Sequence, residues 1–326
     1  MTQPTILITG ATGNTGLAVA STLSTLSTTN PTHPILSTHR ILALTRSPNS
    51  PAAQQLASLP GLTVLEKSWP EITPDWLRSH NITRAFVASQ ALPDQFAVES
   101  TFHVACLTAG VQHVVRISST AANVRPDCRA FYPRSHWALE AMLGTPEFAG
   151  LGWTSLQANV FSTMYLVSAV EFVKAYRKTG SQGTLSLMAA EDTPVGVVDP
   201  YDVGVFAASV LSAEDIGVHS GKKYVLNGPV DLTGREIVRM VEERIHAKVE
   251  RVVYKDLSFL EGLLKAAVAP ESRDSMTSLN VVSSVKYVAE TYWEGKCTVS
   301  TTSKEVLEIA PAKRTPAEVF NTMLEG

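Results

Sequence analysis

Short runs of β-branched and other apolar residues recur through the first half of the chain, each followed by a stretch in which apolar positions return every three or four residues. The runs are Thr5 to Thr9, Arg40 to Thr45, Leu62 to Leu65, Ala85 to Ser89, His113 to Ser118 and Thr154 to Ala158. Near-continuous apolar runs suit strands buried on both faces, and their alternation with helical periodicity predicts an α/β fold with a doubly wound parallel sheet. The first helix is expected from Thr15 to about Leu26, with Leu17, Ala20 and Leu23 on its inner face. Ser27 to Pro34 is polar and proline-containing, which predicts an exposed loop. After Phe161 the pattern turns to helices at Thr163 to Arg177, Pro200 to Leu211, Thr233 to His246 and Leu257 to Ala267, with short strands near Val195 and Tyr224. Two closing helices are expected at Lys304 to Ile309 and Thr315 to Leu324. This divides the chain into a sheet domain over 1–160 and a smaller α+β lobe over 161–326, with 195–212 returning to the main sheet.

The turn after the first strand is the most specific feature. Gly10-Ala11-Thr12-Gly13-Asn14-Thr15-Gly16 follows Thr5-Ile6-Leu7-Ile8-Thr9 directly and opens the first helix. Strand, glycines and helix in that order form a phosphate cradle, because a backbone without side chains approaches a pyrophosphate and the helix aims free N–H groups at it. Gly16 fills the third role, letting helix and strand pack closely. The alternative is a glycine-rich turn with no ligand. The spacing is G-x-x-G-x-x-G, not G-x-G-x-x-G, but the context predicts a Rossmann-type dinucleotide site, with 1–160 as its domain and the second lobe for substrate.

The end of the second strand bears on which dinucleotide. A ribose 2′-hydroxyl calls for a carboxylate there, whereas a 2′-phosphate calls for a cation. Leu44-Thr45-Arg46-Ser47 offers a guanidinium fork and two hydroxyls with no acid beside them in the chain, so NADP(H) is the expected cofactor.

Composition narrows the classes. The chain has 326 residues, is 44% hydrophobic and carries a formal charge of −3, with no dense basic block, so no nucleic acid partner is expected. No apolar run approaches the roughly 18 residues that span a bilayer, and the start leaves no room for a signal peptide. Cys106, Cys128 and Cys297 are odd in number and far apart, which suits free thiols and a cytoplasmic location, where Asn81-Ile82-Thr83 would be an idle sequon. His103 and Cys106 lack a second ligand pair, so no metal is expected.

The glycine turn and the segment Leu156-Gln157-Ala158-Asn159-Val160-Phe161 resemble the NmrA-like family of atypical, extended short-chain dehydrogenase/reductases, and the resemblance covers most of the chain. It implies that Gly10, Thr12, Gly13, Asn14 and Thr15 surround the pyrophosphate, that Ser89 and Gln90 line the cofactor beside the fourth strand, and that Asn159 and Phe161 lie near the nicotinamide. Glu66-Lys67-Ser68 departs from the Asp that the family usually places after the third strand.

Typical short-chain dehydrogenases pair a Tyr with a Lys four residues on, whose charge lowers the phenol's pKa. Here Tyr132-Pro133-Arg134-Ser135-His136 puts histidine in the lysine's place, and no lysine occurs between Lys67 and Lys174. Pro133 belongs in a first helical turn, which leaves Tyr132 at the helix margin. His136 and Glu140 share a helix face, as the family's His-x-x-x-Glu pattern implies, so the carboxylate is expected to orient the imidazole or simply to form a structural pair. Of Ser118-Ser119-Thr120, Ser118 is assigned to the cofactor and Thr120, with His136 and Tyr132, to the chemistry. Tyr165, one helical turn after Phe161, is a second candidate proton donor, with core as the simpler reading, and Arg116 and Arg134 are candidates to hold an acidic substrate group, with a solvated face as the simpler reading. Hydride transfer needs no protein nucleophile. Phe131, Trp137, Phe161, Tyr165 and Trp293 offer an apolar pocket, so the expected activity is an NADP(H)-dependent reductase, or cofactor-assisted isomerase, of a small hydrophobic carbonyl, enone or quinone. The alternative is a non-catalytic NADP(H)-binding redox sensor of the same family that binds a protein partner.

Overall fold

The computed structural model describes residues 3–259 and 278–325. Its main element is a parallel sheet of seven strands: β1 (Thr5–Ile8), β2 (Arg40–Thr45), β3 (Leu62–Glu66), β4 (Ile82–Val87), β5 (His113–Ile117), β6 (Gly152–Ala158) and β8 (Lys222–Leu226), in the spatial order β3-β2-β1-β4-β5-β6-β8. The first six strands follow the doubly wound order, whose reversal between β1 and β4 opens a crevice beyond the strands' carboxyl ends. A second, two-stranded parallel sheet pairs β7 (Leu185–Leu187) with β9 (Val252–Tyr254).

Two helices, α1 (Asn14–Thr29) and α8 (Pro200–Leu211), pack against each other over one face of the sheet, and their apolar residues close a core with Ile6, Ile8, Ala43 and Leu156. Gly204 makes this contact possible, since a Cβ there would meet Ala18 Cβ at 2.4 Å and Thr15 O at 2.8 Å. The opposite face carries α3 (Pro74–Ser79), α4 (Gln95–Ala109) and α5 (Phe131–Leu143), with Phe102, Val114, Leu143 and Trp153 in its core. A separate core gathers α7 (Val167–Thr179), α9 (Gly234–Ile245), the small sheet and Tyr292.

The strand near Tyr224 does not belong to the lobe. It pairs with β6, Leu156 opposite Tyr224, as the seventh strand of the main sheet. A five-residue apolar strand carries no mark of which sheet it joins. Val195 makes only an isolated antiparallel bridge to Leu232, not a strand. The helix expected from Thr163 to Arg177 is broken at Leu166 into Ser162–Tyr165 and α7. The first helix runs on to Thr29, so the exposed loop begins at Asn30. Thr233 caps α9 in a reciprocal capping box with Glu236, and Ile237, Val241 and Ile245 are its buried face. The Leu257 to Ala267 helix lies mostly outside the described residues.

Candidate functional site

The glycine turn lies in the crevice between β1 and β4. Gly10 has φ +61°, and a Cβ on it would stand 3.1 Å from Ala88 O at the end of β4. A Cβ on Gly16 would stand 2.1 Å from Gly10 O, so helix and turn close only over a bare α-carbon. Gly13 is the N-cap of α1, with no side chain capping the helix and no acid in its first turn. Its amides therefore face outward as a donor set, and Gly13 and Asn14 are exposed. This cradle fits a dinucleotide pyrophosphate: the Gly13 N–H is bonded to Gly10 O at 3.0 Å, but the Asn14 and Thr15 amides have no acceptor among the described residues, the first helical turn holds no carboxylate to repel, and side-chain bulk is removed where a ligand approaches.

Arg46 is exposed just beyond β2, and Thr45 Oγ1 accepts the Ser47 N–H at 3.0 Å. The sheet adds what chain proximity does not show: Glu66 sits in register opposite Thr45, and the Lys67 N–H donates to Thr45 O at 2.9 Å. The region around Arg46 thus holds an acid from the end of β3 and a second cation from the residue after it.

Behind the ends of β4 and β5 lies a buried polar network. Glu99, on α4, accepts from Arg116 Nε at 2.6 Å and from the Ser89 hydroxyl, and lies 3.3 Å from His103 Nε2. Burial by itself would push the Glu99 carboxyl up, but Arg116 and His103 outweigh it and hold the group below the usual carboxylate range. Arg116 is wholly buried, not solvated; beyond Glu99 it donates to Ser155 Oγ at 2.9 Å and to His136 Nδ1 at 2.8 Å. The Gln95 amide lies 3.1 Å from His136 Nε2. Burial first, then the Arg116 charge, hold the imidazole's pKa down to about 3 against the pull of Glu99.

Glu140 does not orient His136. Its carboxylate accepts from Ser118 at 2.8 Å, Ser155 at 2.7 Å and the Gln157 amide at 3.1 Å, and pairs with Lys223 of β8 at 3.2 Å. Helical spacing puts the two residues on one face, but β5, β6 and β8 offer the carboxylate more donors than one neutral ring can. A lysine does reach this layer, from far along the chain, yet it meets Glu140. Ser118 is spent on the same carboxylate.

Tyr132 lies in the first turn of α5, its ring edge-on to His136 at 6.3 Å. Burial raises its pKa to about 12, opposed by the nearby Ser119 side chain. Thr120 lies 3.2 Å from the hydroxyl of buried Tyr292, which in turn neighbours Tyr132. Ser118 and Thr120, two residues apart, therefore have different partners, which no one-dimensional pattern distinguishes. Tyr292 arrives on a segment that crosses this end of the sheet: Ser284 Oγ accepts the Phe131 N–H at 3.1 Å, and Val288 O accepts from Asn123 at 3.1 Å. Tyr165 is buried edge-on to Tyr292 at 6.5 Å.

Asn159 is fully engaged within the protein. Its amide donates to Gly196 O, Asn227 Oδ1 and Cys297 O at 2.8–3.0 Å, and its oxygen accepts the Val160 N–H at 2.8 Å. It ties β6 to the crossing segments and has no donor left for a ligand. Phe161 is half-buried beside it and bridges to Val198. Gln90 is exposed at the crevice, and Trp137 faces solvent on α5, not a pocket. Arg134 donates to Cys128 O at 2.5 Å and Arg129 O at 3.0 Å, which fixes the approach to α5. Glu99, Gln95, Ser119 and Tyr292 escaped the sequence reading; Glu99 was legible only as the one acid on its helix.

Among the described residues no cluster of three or more His, Cys, Asp or Glu could hold a metal, and no helix is long and apolar enough to cross a membrane. Strand order, glycine cradle and charge layout define an α/β protein of the Rossmann type. The chain belongs to the NmrA-like family, whose model matches residues 2–305. It is 26% identical over 209 residues to the NAD(P)H azoreductase of Xenophilus azovorans, an alignment covering 64% of this chain and 67% of that protein. Its fold is similar to that of an NADPH-dependent quinone oxidoreductase from Escherichia coli solved with NADPH (23% identity, TM-score 0.67, 98% of this chain and 99% of the other). It is also similar to the Citrobacter triphenylmethane reductase solved with NADP(H) (20% identity, TM-score 0.65, 98% and 100%).

Proposed function

We propose that the chain is an NADP(H)-dependent reductase of a small hydrophobic carbonyl, enone or quinone, or an isomerase using the same bound cofactor. The uncapped amino end of α1 over its glycine turn, at the reversal of strand order, carries this reading. The named activities of the azoreductase and the two structural neighbours support it.

Gly10, Thr12, Gly13, Asn14, Thr15 and Gly16 would hold the pyrophosphate, Arg46 the 2′-phosphate, and Ser89, Gln90 and Phe161 the crevice walls; the bound cofactor supplies a hydride. Ser89 gives its proton to Glu99, so toward a ligand its oxygen is an acceptor, suited to a ribose hydroxyl. Tyr132 is the group placed to give a proton: its phenol stays protonated at neutral pH, with the Ser119 side chain beside it. His136 supplies no imidazolium, because its ring stays neutral through the physiological range. Thr120 meets the Tyr292 hydroxyl, and the Ser119 side chain stands beside Tyr132.

Purified protein is to be mixed with NADPH and a panel of quinones, enones and ketones, following loss of the reduced-nicotinamide absorbance together with substrate. Turnover is expected, and Tyr132→Phe should lower kcat by about 10²-fold with NADPH affinity unchanged. No turnover of any compound, with a clear preference between NADPH and NADP+, would overturn the enzyme reading in favour of a redox sensor that acts on a protein partner.

A further inference from the structure

We propose that Arg116 is a positioning residue that locks His136 as the neutral Nε2–H tautomer, so that an uncharged ring occupies the place, four residues after Tyr132, where a dehydrogenase dyad carries a cation. The lock deepens the reductase reading, on which its kinetic test rests; its spectroscopic test does not depend on that reading.

The geometry is closed on every side. Arg116 is fully buried on β5, and its three nitrogens have separate partners: Nε to Glu99, one terminal nitrogen to Ser155, the other to His136 Nδ1. A guanidinium has only donors, so the ring nitrogen it meets must be unprotonated, and a neutral imidazole then carries its proton on Nε2. Nε2 faces the Gln95 side-chain nitrogen at 3.1 Å, a donor as placed, while Gln95 Oε1 has no partner; turning this amide over gives the Nε2–H its acceptor and Oε1 its missing donor, so the lock includes that flip. Of the charged and titratable groups packed around the ring, Glu99 and His103 come from α4, Tyr132 and Glu140 from α5, Arg116 from β5 and Lys223 from β8. Glu99 bonds Arg116, His103 and Ser89, while Glu140 takes Lys223 and the hydroxyls of Ser118 and Ser155. Neither carboxylate hydrogen-bonds the ring, so an imidazolium would have only the distant pull of Glu99 to set against Arg116.

The arrangement has a chemical consequence. Without a neighbouring cation, the Tyr132 phenol is a proton donor and a poor base, which suits reduction and disfavours withdrawing a proton from an alcohol. Glu99 also ties the lock to the crevice, since it takes the Ser89 proton on the same carboxylate that anchors Arg116.

The lock is read directly by 15N NMR of histidine-labelled protein, His136 being picked out of eight histidines by the signal lost in His136→Gln. In the unmodified protein the ring is expected to show the Nε2–H pattern and no protonation between about pH 5 and 8. Arg116→Lys keeps the charge beside Glu99 but loses the arm to Nδ1. His136 should then titrate at least about one pH unit higher, and NADPH-dependent turnover should acquire an acid limb that the unmodified enzyme lacks. A His136 in the unmodified protein that carries its proton on Nδ1, or titrates near its ordinary pKa, overturns the proposal. So does a folded Arg116→Lys protein whose His136 is unchanged. The first measurement needs no variant in the network, so it stands even if Arg116→Lys does not fold.

Discussion

At the scale of single residues, the sequence identifies groups but not their partners. His136 and Tyr132 are visible as departures from a Tyr/Lys pair, while their neighbours Arg116, Gln95 and Ser119 come from other elements and carry no spacing signal. Arg116 shows the cost of reading residue type alone: arginine is usually solvated, yet here two buried carboxylates on α4 and α5 flank it. Arg46 is the reverse case, exposed and free to meet a ligand, as its position after β2 suggests. Replacing it by glutamate puts a carboxylate where a 2′-phosphate is proposed to sit. Arg46→Glu should weaken NADPH by roughly 10- to 100-fold, the worth of a charge-assisted contact, and leave NADH little changed. Titration calorimetry with both dinucleotides checks this; equal losses would remove Arg46 from cofactor discrimination.

Elements were legible where local pattern and tertiary demand agree. The strands β1, β2 and β5 and the helix Lys304–Ile309 lie where periodicity put them, and the first helix begins at the glycine turn. Glycine roles are legible when the turn itself needs them, as with Gly10 and Gly16, but Gly204 in the middle of α8 reads as a mere flaw in a helix until α1 is seen against it. Gly16 meets backbone with no slack. Gly16→Ala should therefore cost about 1–3 kcal/mol, since its methyl group would overlap the Gly10 carbonyl and the turn must move. Urea unfolding measures the loss, and dinucleotide affinity should fall with it. A variant as stable as the parent would show that the turn yields easily.

Over the whole molecule, the buried network sets how stability responds to acid. The pKa values of His136 and His113 are each held down to about 3, chiefly by burial. Unfolding would return both rings to an ordinary histidine value near 6.5, so below that pH the unfolded chain binds protons that the folded chain refuses. Stability is thus fully present above about pH 6.5 and lost as pH falls toward 3, by on the order of 2 kcal/mol per ring at pH 5. Thermal unfolding at pH 7 and pH 5 should show a clear drop in Tm, and equal values would mean that the two rings protonate freely in the folded state. By itself the sequence determined the strand and helix run of the sheet domain, the glycine cradle, the cation after β2 and the missing lysine, because each is set by neighbours within a few residues. Tertiary structure alone decided that β8 completes the main sheet, that Glu140 serves Lys223 and the strand hydroxyls, and that His136 answers to Arg116. Those outcomes depend on which donors and acceptors from distant segments share one water-free layer, and every polar group shut inside it must find a partner there.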